Sequence, residues 1–481
     1  MVSRPDESHT ARFRAVLGER GVLTDAETVA PYLTDFRELY RGRTPLVLRP
    51  STTEQVAAVM ALCSELRWPV VPHGGNTGYC GGATPRESGS DIVLSLERLN
   101  RIRDVDALNY TLTAEAGCIL ADVQQAAEQA DRLYPLSLGS EGSCQLGGTL
   151  ATNAGGTAVL RYGNTRDLVL GLEVVLPDGR ILDGLRALRK DNLGYDLKQL
   201  FIGSEGTLGV ITAAVLKLFP KPAAHVTAML ALRDVDAAVG LLARAREYTG
   251  DLVTTFELIP RIAVDFTTRH IPGVRDFFEG KHDWYAMVEF SLGLSGPAPR
   301  EAIEVFLAEA MEEGQIVDAV LAQSEADRLA MWRMRESIPE SQRHEGVSIK
   351  HDVSVPVSRV PEFIRVASAA VRSLVPGVRL VVYGHIGDGN LHFNLSPPTG
   401  ADDRRFLERA GAVHDAVFEL VAERRGSIAA EHGVGRLKRE ALARYRAGAE
   451  YELMVRLKKT LDPLGIMNPD KVVQAGDTGS A

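Results

Sequence analysis

The sequence predicts an α+β protein of more than one domain, and three observations carry that expectation. Up to about residue 222, short strands are separated by long glycine-punctuated stretches, closed by Pro220 and Pro222. From about 223 to 420, strands such as 227–232 and 285–290 alternate with amphipathic helical patterns at 235–247 and 299–313. From about 421 to 481 the pattern is mostly helical, with a Pro- and Gly-containing stretch at 461–469 near its end. The expected parts are therefore 1–222, 223–420 and 421–481, and 481 residues suffice for two or three sizeable cores.

Taken in order, residues up to about 40 read as a helical lead-in. Thr53, Glu54 and Gln55 open a helix through Leu66, with Val56, Val59, Ala61 and Leu62 apolar. A short buried strand at 68–72 runs into Pro72-His73-Gly74-Gly75-Asn76-Thr77-Gly78. Successive N–H groups there can point into one concavity, and glycine permits close approach and positive φ, which suits a pyrophosphate. A plain glycine-rich turn fits the same residues. Strands follow at 91–94 and 110–117, and a helix at 120–129. The tract 137–156 is too poor in large apolar residues to form core and suits backbone wrapped round a flat, polar-edged cofactor. A strand at 172–176 and the turn Pro177-Asp178-Gly179 lead to a second glycine-punctuated segment, 203–209, which ends in a strand at 211–218. No solenoid-type repeat is present.

Composition excludes several classes. Hydrophobic residues make up 45% and charged residues 24%, as in ordinary globular proteins. The net charge of −9 disfavours nucleic acid, and an anionic substrate needs local positive charge against it. Cys63, Cys80, Cys118 and Cys144 contain no Cys-x-x-Cys, which speaks against an iron–sulfur cluster and for buried thiols in a reducing compartment. The first ten residues are polar and lack the apolar core of a signal peptide. No run of 18 apolar residues exists, so no membrane span is expected and the expected location is cytoplasmic.

The stretch richest in chemistry is 383–395. The run Leu380-Val381-Val382 leads in as a strand, Gly387-Asp388-Gly389-Asn390 is turn chemistry, and Phe393 and Leu395 continue a second strand. A tight turn sets His385 opposite His392, with opposed Cβ atoms roughly 4.5–5.5 Å apart, within reach of one metal ion. Tyr383 and Asn394 then share that face. Glu431 offers a carboxylate, with His432 beside it. Two His and one Glu commonly hold a divalent metal that keeps a position open for substrate. Two histidines on a hairpin also occur as plain polar surface.

Together the segments 72–78, 147–156, 203–209, 384–392 and 431–433 resemble, in that order, the vanillyl-alcohol oxidase / para-cresol methylhydroxylase (PCMH) flavoproteins, and within them the FAD-dependent D-2-hydroxyacid dehydrogenases. That branch includes D-2-hydroxyglutarate and D-lactate dehydrogenases and the glycolate oxidase FAD subunit. The resemblance runs from about residue 40 to the C-terminus. It implies a PCMH-type FAD-binding domain of two subdomains with its core at about 43–221, an α+β substrate domain, and a C-terminal helical segment returning to the flavin. It places FAD against Pro72, His73, Gly74, Gly75, Asn76, Thr77 and Gly78, then Ser137, Gly139, Gly147, Gly148, Thr149, Thr152, Asn153 and Gly156. Gly203, Glu205, Gly209, Ile211 and Asn468 complete that set. Family members that attach FAD covalently carry histidine where this chain has Asn76, so non-covalent FAD is expected.

The same resemblance carries the metal ligands onto His385, His392 and Glu431, with zinc or manganese as the ion. It carries the catalytic base onto His432 and substrate contacts onto Arg335, Lys350, Asn394 and His432. One departure is Pro339, where related enzymes can have a substrate-binding hydroxyl; proline donates no hydrogen bond. Surface ion pairing is the competing reading of Arg335 and Lys350. The implied reaction oxidises a D-2-hydroxy acid to the 2-oxo acid, with hydride passing to FAD. A dicarboxylate such as D-2-hydroxyglutarate or D-malate is expected ahead of D-lactate, because a monocarboxylate leaves Arg335 or Lys350 without an obvious partner. Electrons are expected to leave to electron-transfer flavoprotein or a quinone-like acceptor, and a homodimer is left open. The rival classes are a non-haem metal oxygenase, which leaves the glycine-rich half without a purpose, and a non-catalytic flavin-binding subunit. A nicotinamide enzyme is disfavoured, since no Gly-x-Gly-x-x-Gly follows a strand.

Overall fold

The structure, a computed structural model, describes residues 6–294, 296–474 and 476. The part of the N-terminal reading that rests on residues 1–5, and residues 475 and 477–481 of the expected last segment, lie outside the described residues. The chain forms two units. One comprises Met1–Gly156, Gly163–Lys221 and Glu431–Ala481; the other comprises Thr157–Tyr162 and Pro222–Ala430. The boundary expected near 420 falls inside a helix, Ala410–Glu423, and the chain crosses between units at 430–431 instead.

The first unit is built on two larger sheets, with Phe219–Pro220 and Arg132–Leu133 pairing as a small third among the described residues. In one, Val47–Leu48 and Val70–His73 flank Ile92–Ser95 in parallel, and the helix Thr53–Leu66 makes the crossover. Thr52 caps that helix by accepting from the Gln55 N–H, and Val56, Val59, Met60 and Cys63 bury one stripe at helical spacing. Its end is set by Arg67 in the left-handed region at φ 55°. The second sheet is antiparallel, in the order Ile102–Asp106, Thr111–Glu115, Val210–Lys217, Val169–Val175, Ile181–Gly184. The C-terminal stretch returns to this unit. Val70 N–H donates to Ile466 and Asn468 N–H to Val70, so Met467 adds a parallel bridge to the free edge of Val70–His73.

The tract 137–156 departs from expectation. It contains a helix, Leu146–Thr152, and Leu146 and Leu150 are fully buried core. Two leucines four residues apart are enough for one apolar stripe on a two-turn helix. A Cβ on Gly147 would sit 2.8 Å from that of Ala116, so Gly147 is required by packing.

The second unit carries an antiparallel sheet ordered Val253–Pro260, Trp284–Leu292, Ala224–Leu232, Ile316–Leu321. A three-stranded sheet follows, ordered Asp352–Ser354, Asn390–Ser396, Arg379–Tyr383. A bridge between Leu258 and Gly384, with N–H···O bonds of 2.9 and 3.1 Å, joins the two sheets. The helices Val235–Thr249, Pro297–Glu312, Val360–Leu374 and Ala410–Glu423 share one apolar core with the strands. All four cysteines are buried and none is in a disulfide. Among the described residues, no helix is long and apolar enough to cross a membrane.

Candidate active site

Strand register explains why three of the expected residues, Lys350, His392 and Asn394, gather in the second unit. Tyr383 pairs with His392 on one side and Asp352 with His392 on the other. Val381 pairs with Asn394, and Ile349 with Leu395. The same register sets Lys350 opposite Asn394. Directly opposed residues in an antiparallel sheet point to the same face. Lys350, Asp352, Tyr383, His392 and Asn394 therefore share one face, while Leu391, Phe393 and Leu395 bury the other.

His385 is not across the hairpin from His392. A single 3₁₀ turn, Ile386–Asp388, lengthens the connection, so the last pair is Tyr383 with His392 and His385 stands in the loop. Its position is fixed from elsewhere. Gly384, at φ 146°, bridges Leu258, which sets their neighbours His385 and Glu257 side by side. The His385 Nδ1–H donates to Glu257 Oε1 at 2.5 Å. Ring nitrogens of His385 and His392 come within 4.8 Å of one another, with ring centroids 5.6 Å apart.

Arg335 lies on the buried stripe of the helix Glu325–Glu336, beside Met331 and Met334. Its Nε donates to Glu257 Oε2 at 2.6 Å, and its guanidinium stacks 4.8 Å from the Tyr383 ring. Tyr383 in turn lies 4.9 Å from the His392 ring. Burial opposes ionisation of Glu257, but the Arg335 guanidinium and the His385 imidazole outweigh it and hold its carboxyl down at about 2. The surface reading of Arg335 is thus overturned: the side chain is buried against a buried carboxylate. Pro339 sits in the first turn of the helix Ile338–His344, where its missing N–H costs nothing.

The first unit holds the glycine loops. A Cβ on Gly75 would lie 2.3 Å from the Ser143 carbonyl oxygen, whereas Gly78, Gly139 and Gly148 face open space. Asn76 takes φ 53° and donates through Nδ2 to the Thr34 carbonyl. A cavity of ≈ 520 Å³ is lined by Tyr32, His73, Gly74, Gly75, Asn76 and Gln145, among others. Both ring nitrogens of His73, Gln145 Oε1 and Asn468 Oδ1 are buried with no hydrogen-bond partner among the described residues. Burial pushes the His73 imidazole down to about 4, so it stays neutral. Open space beside backbone, together with orphaned buried polar atoms, fits a dinucleotide laid along this loop.

Some residues of the expected flavin set have other duties. Glu205 receives Val434 N–H on Oε1 at 2.7 Å and Gly435 N–H on Oε2 at 2.8 Å. Its carboxylate therefore clamps the 433–435 segment, and burial raises its pKa. Gly209 is needed because a Cβ would lie 2.8 Å from Val174. Gly156 takes φ 123°, and a Cβ there would press on the Ser137 carbonyl. Asn153 turns at φ 51° and accepts the Arg166 N–H, and Gly203 turns at φ 82°. The Thr149 and Thr152 hydroxyls bond back to their own helix, and Ile211 is buried in its strand. Asn468 Nδ2 donates to Gly82 and Glu205 carbonyls.

His432 follows Glu431 at the start of the clamped segment. Its ring lies edge-on to Tyr79 at 4.7 Å, with Nε2 3.4 Å from Glu431 Oε1. Arg436 N–H donates to the Cys80 carbonyl, which fixes the far end. On the other side Ala430 N–H donates to Asp352, so the chain leaves the three-stranded sheet beside Asp352 and enters the first unit with Glu431.

Sequence reasoning missed Glu257, Tyr79 and the clamp made by Glu205. A signal for Glu257 exists: it is the one charged residue in the otherwise uncharged strand Val253–Pro260.

Residues 221–472 match the family described as FAD linked oxidases, C-terminal domain, and residues 44–184 match FAD binding domain. A mitochondrial D-2-hydroxyglutarate dehydrogenase of Arabidopsis thaliana is 36% identical over 473 residues, covering 98% of this chain and 83% of that one. A D-2-hydroxyglutarate–pyruvate transhydrogenase of Saccharomyces cerevisiae is 34% identical, covering 97% and 95%. A crystal structure of p-cresol methylhydroxylase with substrate bound superposes with a TM-score of 0.74 at 16% identity, covering 98% of this chain and 97% of that one. The likeness bears out the PCMH-type α+β architecture.

The expected cytoplasmic location is overturned, because relatives such as the Arabidopsis enzyme are named mitochondrial. The lack of an apolar N-terminal core speaks only to secretion; mitochondrial leaders are amphipathic and basic instead.

Proposed function

The chain belongs to the FAD-linked oxidases, an FAD-dependent dehydrogenase family, and on that premise we propose that it oxidises D-2-hydroxyglutarate, or a close dicarboxylate such as D-malate, to the 2-oxo acid with the help of one divalent metal ion. The observation that carries this reading is the face shared by Lys350, His392 and Asn394 beside the Arg335–Glu257–His385 group. FAD, held non-covalently, supplies the hydride acceptor. A zinc or manganese ion on His385, His392 and Glu431 supplies Lewis acidity toward the substrate hydroxyl. Lys350 and Asn394 bind and orient carboxylate oxygens. His432 takes the hydroxyl proton as general base. Arg335 adds N–H groups in a fixed plane.

Arg335 already has a carboxylate partner in Glu257, so its charge does not require a second substrate carboxylate. The ranking of dicarboxylates first draws its support from the relatives named for D-2-hydroxyglutarate. The reduced flavin passes its electrons to electron-transfer flavoprotein or a quinone-like carrier.

The test is anaerobic bleaching of the flavin by a panel of D- and L-2-hydroxy acids, followed by kcat/KM for the D-acids. D-2-hydroxyglutarate and D-malate should lead D-lactate. A preference for lactate would sink the dicarboxylate reading, and no bleaching by any hydroxy acid would sink the reaction.

A further inference from the structure

Glu257 is buried in the middle of a strand and is engaged at both oxygens. Oε1 lies 2.5 Å from His385 Nδ1, and Oε2 lies 2.6 Å from both Nε and Nη2 of Arg335. Arg335 stacks on Tyr383, Tyr383 lies against His392, and His392 faces His385. The five side chains close a ring, and Glu257 is the member that ties one histidine to the arginine.

We propose that Glu257 is a positioning residue that serves two proposed functions at once, orienting His385 for metal and holding Arg335 for substrate. The inference rests on the metal reading given above.

A carboxylate can only accept, so Glu257 forces the His385 proton onto Nδ1 and leaves Nε2 as the metal-ligating nitrogen. It also makes that nitrogen more basic and fixes the ring against rotation. The bridge from Leu258 to Gly384 holds the backbones on which both groups stand. Through its second oxygen the same carboxylate holds the guanidinium plane over Tyr383. Metal and substrate arginine therefore share one support, and a change at Glu257 reaches both.

The experiment titrates zinc and manganese into metal-free protein with FAD retained, for wild type, Glu257→Gln, Glu257→Asp and His392→Ala. The flavin absorbance and the melting temperature of each are recorded alongside. The expected result is a metal Kd raised about 10–100-fold in Glu257→Gln, with flavin content unchanged. KM for the hydroxy acid should rise in the same variant at saturating metal. Glu257→Asp keeps the charge but shortens the reach, and it should fold and show the same weakening if the amide variant does not fold. A metal Kd within twofold of wild type in whichever Glu257 variant folds, while His392→Ala has lost metal, overturns the positioning role and leaves the metal centre standing. A wild type that binds no metal overturns both.

Discussion

Asn76 shows how much one side chain decides. It stands at φ 53°, a region where asparagine is tolerated better than bulkier residues, and its amide is tied to Thr34. An amide offers no nucleophile to the flavin, so acid precipitation should release the yellow colour into the supernatant; colour kept in the washed pellet would refute non-covalent binding. Arg335 gives a second expectation at this scale. Removing it takes the guanidinium from the buried Glu257 carboxylate, which keeps its His385 contact, and breaking a buried pair in that way costs about 3–5 kcal/mol. Arg335→Ala should therefore lose thermal stability as well as kcat/KM, whereas a purely substrate-binding arginine would leave the melting temperature untouched. The importance of Arg335 was legible because the family pattern marks it. Its partner was not, since Glu257 lies 78 residues away on another element, and Glu257 meets His385, 128 residues distant, beside the Leu258–Gly384 bridge. The identities of His385 and His392 were readable from the hairpin, but not their register, because one 3₁₀ turn moved His385 out of the ladder.

Among the elements, three meet at Glu345, which follows the helix Ile338–His344. It accepts from Arg269 at 2.8 Å and lies 2.6 Å from His270, both at the end of the helix Arg261–His270, and it pairs with Arg379 at the start of its strand. Burial opposes its ionisation, but His270 and Arg379 outweigh that and hold the carboxyl at about 2, below the ordinary 4.5. A carboxyl with a depressed folded-state pKa stabilises above its unfolded value, and that stability is lost as pH falls through the folded one. Glu345→Gln should lower stability at pH 7 by about 1–2 kcal/mol after allowing for solvent screening. The gap to wild type should narrow below pH 4.5 and close near 2, measured by thermal unfolding across pH. An equal gap at pH 3 and pH 7 would refute the linkage. Helices such as Leu120–Gln129 were readable from their apolar spacing, and so were the strands. Leu146–Thr152 was not, because its glycines and threonines conceal a stripe of just two leucines.

Taken as a whole, the molecule has two units, each with its own core, and the glycine loops lie in the first while His385 and His392 lie in the second. Chelation should therefore abolish turnover while FAD stays bound, read as unchanged absorbance near 450 nm after gel filtration. Flavin lost together with metal would contradict that separation. Turnover should depend on an added carrier, and reoxidation by oxygen as fast as substrate oxidation would make the protein an oxidase. The two-unit plan was visible in the sequence as a change of pattern near Pro220 and Pro222. The return of the C-terminal segment was implied by the family resemblance, but its pairing was not legible, because nothing in residues 461–469 says that they pair with Val70.

That pairing sets an order of events during synthesis. Val70–His73 is made well before the segment around Met467 that bridges its edge. At about 5–20 residues per second the interval is about 20–80 s. Throughout it the loop at 74–78 hangs from an uncapped edge strand, a known template for mispairing. The second unit is complete at residue 430, before the Met467 pairing can form, so it can fold ahead of the flavin-binding unit. A stop a few residues before Ile466 would release a protein with a sound second unit and no grip on FAD.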